Sequence, residues 1–245
     1  MAARTPARSE DQSGVLTFIT VVLFGISLAL WMQRRIARRE TFIRNYELPR
    51  GLFDNLRKRR PELGIKECQL TANALRQFFL AYLKSGRKYV SMPSQAADDL
   101  WHEFILFTRN YDAFCKGAFG GFLHHTPAVS VGSGDRADDG LHTAWWHTCK
   151  EDHINPRAPT RLPLLFALDA KLGVADGFSY ALDCKAAQVT RTAASGTATP
   201  VIFCGGDFAV AARSRRNTGG GSSGGCGGGM EGDSGCGGGG CGGGD

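Results

Sequence analysis

The stretch PSQAADDLWHEFILFTRNYDAFCKGAFGGFLHHTP, running from Pro93 to Pro127, decides how the rest of the chain is read. It gathers Trp101, His102, Tyr111, Cys115, the Gly120–Gly121 pair and His124–His125 into a run with few charges. All six histidines of the protein fall between His102 and His153, and Cys115 and Cys149 lie in the same interval. Crowding of this kind suits a core, a metal site or a catalytic site.

Ser91 or Ser94 is placed to cap a helix expected from about Ser94 through Thr108 or further. Ala97, Trp101, Phe104, Ile105, Thr108 and Cys115 share one face at helical spacing. His102 lies beside that face, with Asp98 one turn back. Thirteen residues separate His102 from Cys115, about 140° around an unbroken helix. The two can share an ion only if the helix breaks, near Arg109–Asn110 or at Gly117. Without a break, Cys115 is a core thiol and His102 a boundary residue held by Asp98. Gly117, Gly120 and Gly121 are expected to end the helix. An extended His124–His125 pair points to opposite sides, so at most one of the two faces a site.

Downstream, VSVGSGDRADDG reads as a loop in which Asp138 or Asp139 caps a helix over LHTAWWHTCKEDH. His142, Trp145, Trp146, Cys149 and His153 fall on one stripe of it. Cys149 and His153 are four apart, the spacing that lets two side chains reach one metal. A tryptophan-rich core with hydrogen-bonded polar atoms explains the same stripe. RLPLLFALDAKLG is a short apolar helix closed by Gly173, and DGFSYALDC carries the domain to about Cys184.

Upstream, ECQLTANALRQFFLAYLKSG places Leu75, Phe78, Phe79, Tyr82 and Leu83 on an apolar stripe, with Gly86 as its C′ residue and Cys68 as a core thiol. FIRNYELPRGLFDNLRKRR has Leu52, Phe53 and Leu56 at helical spacing, Pro49 in a first turn and Pro61 as the stop.

Val15 to Met32, VLTFITVVLFGISLALWM, is almost wholly apolar. Eighteen helical residues rise about 27 Å, close to the hydrocarbon thickness of a bilayer. Trp31 suits an interface, and QRRIARRE follows with no small-residue cleavage pattern, so a transmembrane anchor is expected rather than a cleaved signal. Nine Arg and one Lys lie between Gln33 and Pro61 against Glu40, Glu47 and Asp54. This excess after the span predicts a short N-terminus outside and a cytoplasmic C-terminal domain in the cell membrane, with the basic block on anionic lipid headgroups. This local excess of seven leaves the rest of the chain close to neutral against a net charge of +6, so no nucleic-acid surface is expected. A cytoplasmic domain with scattered cysteines fits reduced thiols.

Asn217 to Asp245 holds 29 residues, 17 of them Gly, with Cys226, Cys236 and Cys241. Such a tail cannot bury enough apolar surface to order itself. Its thiols suit a soft metal or an attachment, or are incidental to a tether.

The expected organisation is mainly α. Residues 1–13 are an extracytoplasmic segment, 14–33 a single transmembrane helix and 34–61 a basic juxtamembrane segment. A His/Cys-containing helical domain over 62–185 follows, then a linker with short strands over 186–216 and a disordered Gly/Cys-rich tail over 217–245.

WHEFILFTRNYDAFCKGAFGGFLHHTP resembles the glycine-rich domain-containing-protein-like family, through Trp101, His102, Tyr111, Cys115, Gly120 or Gly121, His124, His125 and Pro127. The similarity continues through TAWWHTC and LPLLFALDA, over roughly residues 70 to 182. No established reaction comes with that resemblance. Its association with RNA-binding segments in plant relatives does not transfer, because this chain lacks an RNP1-like aromatic motif. The transmembrane helix and Gly/Cys tail look like those of a group of bacterial membrane proteins.

Two functions fit. One is a membrane-anchored binding or scaffolding module for a protein partner, with a structural or sensing metal. The other is a metal-dependent hydrolase. The candidate ligands are His102, one of His124 and His125, Cys149 and His153, an N/S set that suits Zn²⁺, with Asp98 orienting His102 and Glu103 as a base. The chain has no HExxH, GxSxG or P-loop, which weighs against an enzyme.

Overall fold

The computed structural model describes residues 9–125, 135–182 and 202–204. The protein is mainly helical in this structure, and its first helix is its longest. Helix α1 (Ser9–Asn45) has 37 residues, about 55 Å of rise. Its Gly14–Asn45 portion is long and apolar enough to cross a membrane, and the apolar window in it is wholly unburied.

At its far end α1 enters the domain without a break. Ile43 is fully buried in the core. The Phe42 ring stacks on Phe114 with centroids 6.0 Å apart. A methyl built on Gly117 would overlap that ring, so a glycine there permits the close approach. Arg44 donates to Glu151, and Lys84 bridges Glu40 and Glu151. The hydrophobic core therefore reaches upstream of residue 62, through Ile43, Leu52 and Leu56.

Helix α2 (Leu52–Arg59) starts at the left-handed Gly51, so Pro49 precedes the first turn, its carbonyl accepting from the Leu52 amide. Helix α3 (Ile65–Lys84) is central. Cys68, Ala72, Ala74, Leu75, Phe78, Phe79, Leu80 and Ala81 are all buried, on more than the one expected stripe, because helices pack against it from several sides. It ends at the left-handed Gly86, with Arg87 N–H bonded to the Tyr82 carbonyl.

Helices α4 (Gln95–Leu106) and α5 (Thr108–Phe119) are separated by the single non-helical residue Phe107, at φ −78° and ψ 60°. The break falls two residues before the nearer of the two expected positions, Arg109–Asn110, and well before Gly117. Helix α6 (Asp135–Glu151) begins a few residues before Asp138. Trp145 and Cys149 are buried on it, while Trp146 lies under the cations of Lys150 and Arg157. Helix α7 (Leu164–Leu172) ends, as expected, at the left-handed Gly173.

Two short strands, β1 (Ser179–Ala181) and β2 (Ile202–Cys204), pair in parallel with Tyr180 opposite Phe203. The expected disorder of 217–245 and the thiols Cys226, Cys236 and Cys241 fall outside the described residues.

Candidate metal centre

The site begins at the N-terminus of α4. Ser94 is extended and its Oγ accepts from the Ala97 amide, capping the helix. The buried Asp169 carboxylate of α7 adds to that cap, accepting from Ser94 Oγ at 2.6 Å and from the Gln95 and Ala96 amides at 2.7 and 3.1 Å. Negative charge at the helix N-terminus is favourable. One turn into this anchored helix stands Asp98, and one turn further His102.

The break at Phe107 turns α5 back over α4. Trp101 and Tyr111 are ten residues apart, about 15 Å along a continuous helix, yet the Trp101 Nε1–H donates to Tyr111 Oη at 3.1 Å. The same hydroxyl donates to the Leu123 carbonyl at 2.6 Å. After α5 the chain reverses at the left-handed Gly120, and this bond pins the returning segment beside α4.

The returning segment resolves the histidine pair. His124 is exposed, its ring 4.9 Å from that of Phe122. His125 faces inward with a side chain 12% exposed. Its ring is 4.4 Å from Trp101 and 4.3 Å from His102, nearly perpendicular to the latter.

Asp98, His102 and His125 each offer a donor atom, and the three atoms lie within 4.8 Å of one another. They form a group that could hold a metal ion. His102 Nδ1 donates to the Asp98 carbonyl oxygen at 2.8 Å. A carbonyl can only accept, so Nδ1 carries the proton and Nε2 keeps its lone pair for a ligand. The Asp98 carboxylate lies 3.4 Å from His102 Nδ1 and 3.6 Å from His125 Nε2. Among the described residues, neither ring nitrogen of His125 has a hydrogen-bond partner, although both are shielded from solvent. A buried polar group without a partner is costly and asks for an explanation.

Burial raises the Asp98 carboxyl to about 6, with Asp99 adding to the effect and His102 and Arg59 opposing it. Burial lowers His125 to about 4, helped by repulsion from His102. Near neutral pH the site therefore holds a carboxylate and an unprotonated His125, the forms a cation requires.

His102 and His125 line a cavity of about 470 Å³ together with Arg59, Glu103, Leu106, Tyr111, Phe122 and His124. Arg59 is 3.7 Å from Glu103 and 3.4 Å from Asp99.

The other expected ligands are placed elsewhere. Cys115 is buried, its thiol pKa raised by burial. Cys149 is buried in α6 with its thiol pushed up to about 12 by burial. Helix α6 stops at Glu151. The His153 amide bonds the Lys150 carbonyl and the Ile154 amide bonds the Cys149 carbonyl, a Schellman end that puts His153 in the left-handed region at φ 57°. The side chains of Cys149 and His153 therefore do not stand one helical turn apart. Among the described residues, the one group of three or more metal donors is Asp98, His102 and His125. The spacing of Asp98 and His102 was the available signal for the carboxylate, expected only to orient the histidine.

A family profile described as UCP032817-like matches residues 38–208, well over half of the chain. The chain belongs to the UCP032817-like family. The match begins where α1 enters the domain and includes the whole Asp98–His102–His125 group. It is to this uncharacterised family, and not to the glycine-rich domain-containing-protein-like family that the motif resembles. No curated protein and no solved structure matches the chain.

Proposed function

We propose that this domain is a membrane-tethered, metal-centred binding module in which Asp98, His102 and His125 hold one divalent cation, Zn²⁺ by donor type. The observation that carries the reading is His125. Its two ring nitrogens are buried, without a hydrogen-bond partner among the described residues, and beside a carboxylate and a second imidazole. An ion bonded there would satisfy the orphaned nitrogen and neutralise the buried carboxylate. Three protein donors leave a coordination position free, unlike a closed structural zinc, and the adjoining cavity supplies room for a small ligand at that position. The α1 helix supports the membrane tether, with the domain on the cytoplasmic side by the distribution of arginines.

A second reading, metal-dependent hydrolysis, is favoured by Glu103, which lines the same cavity and could take a proton from a metal-bound water.

The test is metal content of the full chain, purified in detergent without a polyhistidine tag. Wild type is expected to hold one equivalent of zinc. His125→Ala and His102→Ala are expected to lose it, whereas Cys149→Ser and His153→Ala retain it. Metal-free wild type that also fails to bind added zinc would overturn the centre. Glu103→Gln should keep the metal; loss of a hydrolytic activity in that variant alone would select the second reading.

A further inference from the structure

Where α1 meets the domain, Arg39 and Arg87 meet at the end of α5, and Arg35 stands near enough to repel Arg39. Arg39 of α1 reaches Gly120 at the C-terminal end of α5, so closely that a methyl on Gly120 would overlap its guanidinium. Arg87, left-handed at φ 65° just beyond α3, donates from Nη1 to the Phe119 carbonyl at 3.1 Å. Arg35 stands one turn before Arg39, its guanidinium 5.2 Å from the Trp31 ring centroid. One further turn along α1 the pattern changes. Arg44 and Lys84 are both answered by Glu40 and Glu151. No acidic side chain among the described residues pairs with Arg35, Arg39 or Arg87.

The C-terminus of α5 offers a partial charge of about −0.5 to the two guanidinium groups that meet it. That leaves most of their charge, and all of Arg35's, for an external anion. The axial position says which anion. Arg35 and Arg39 follow Met32, the end of the uninterrupted apolar run, by about 4.5 and 10 Å of helix. Helical side chains lean toward the N-terminus, here back toward the apolar run. Such reach matches the headgroup layer, about 5–8 Å deep on each side of the hydrocarbon. We infer that Arg35, Arg39 and Arg87 form a binding site for the phosphate of an anionic phospholipid, at the junction of the membrane helix and the domain. The inference rests on α1 spanning a membrane and is independent of the metal.

The experiment reconstitutes the full chain in nanodiscs of phosphatidylcholine with a minority of phosphatidylglycerol, then counts co-released lipid by native mass spectrometry. Wild type is expected to retain phosphatidylglycerol preferentially. Arg39→Gln with Arg87→Gln should weaken that retention about thirtyfold, and Arg35→Gln, which touches no part of the domain core, about fivefold. Arg157→Gln, whose guanidinium lies over Trp146 of α6, should not change it. Equal retention of both lipids by wild type, or unchanged retention in the Arg35 variant, would overturn the site. Inorganic phosphate bound by the detergent-solubilised chain as tightly as the lipid would overturn the lipid assignment. Failure of wild type to enter the nanodiscs would instead overturn the span, and zinc content unchanged in all three variants would show that the metal reading stands apart.

Discussion

His147 shows how one residue ties burial to pH. It is half-buried on α6, and burial, with Lys150 and Lys84 nearby, lowers its pKa to about 4 from the ordinary value near 6.5. Between those values the unfolded chain accepts a proton that the folded chain refuses. Its contribution to stability is thus present above about pH 6.5 and is lost as pH falls toward 4. His125 acts in the same direction and Asp98, raised to about 6, in the opposite one. The His147 share is therefore read as a difference. His147→Gln should lose less stability than wild type between pH 7 and 4.5, measured by thermal unfolding of the full chain in detergent at each pH. Parallel profiles would mean that His147 is protonated while folded. At this same scale the sequence was informative about His102 and Asp98, because a four-residue spacing on a helix is local geometry. It was not informative about His125 against His124. That choice depends on which side of an extended segment meets α4, a tertiary fact.

Among elements, the decisive event is the break at Phe107. No glycine or proline marks it, so the sequence suggested breaks two residues later or at Gly117. The break is held by tertiary bonds instead. Tyr111 joins Trp101 on α4 to the Leu123 carbonyl on the returning segment. Without that tie the segment carrying His125 has one fewer bond to the helix carrying Asp98 and His102. Tyr111→Phe removes both bonds and leaves a buried indole N–H and a carbonyl unpaired, which should cost about 2–4 kcal/mol. Urea denaturation of the full chain in detergent would measure it, and zinc affinity should fall in parallel because the donors are held less firmly. An unchanged midpoint would show that the tie is not holding the segment. The end of α6 teaches the converse. Glycines closed α3, α5 and α7 where composition suggested, but His153 occupies the same left-handed position on α6. With no glycine to announce the stop, the periodic pattern ran past it and aligned Cys149 with His153.

For the whole molecule, the order of parts was legible because it follows from composition. An apolar run, then arginines, then amphipathic helices gave the mainly α architecture with its long N-terminal helix. What composition did not convey is that part of the basic stretch belongs to the packed domain. Arg44 and Ile43 belong to the packed domain, whereas Arg35 does not. Only the pairing of Glu40 and Glu151 with cations from different helices separates the two groups. The passage from Met32 to Ile43 is uninterrupted helix, about 16 Å long, with no glycine or proline among residues 33–43. Such a passage leaves the domain no swivel. In a nanodisc, time-resolved anisotropy of a dye on the domain should decay with the disc as one body, and a Gly-Gly-Ser insertion after Gln33 should add a fast component. A fast component already present in wild type would contradict the rigid passage. If α1 spans a membrane as proposed, this stiff passage would hold the cavity beside His102 and His125 at one height and one heading above the lipid surface. A ligand or partner confined to that surface would then meet it by sliding in two dimensions, with the angle of approach already chosen.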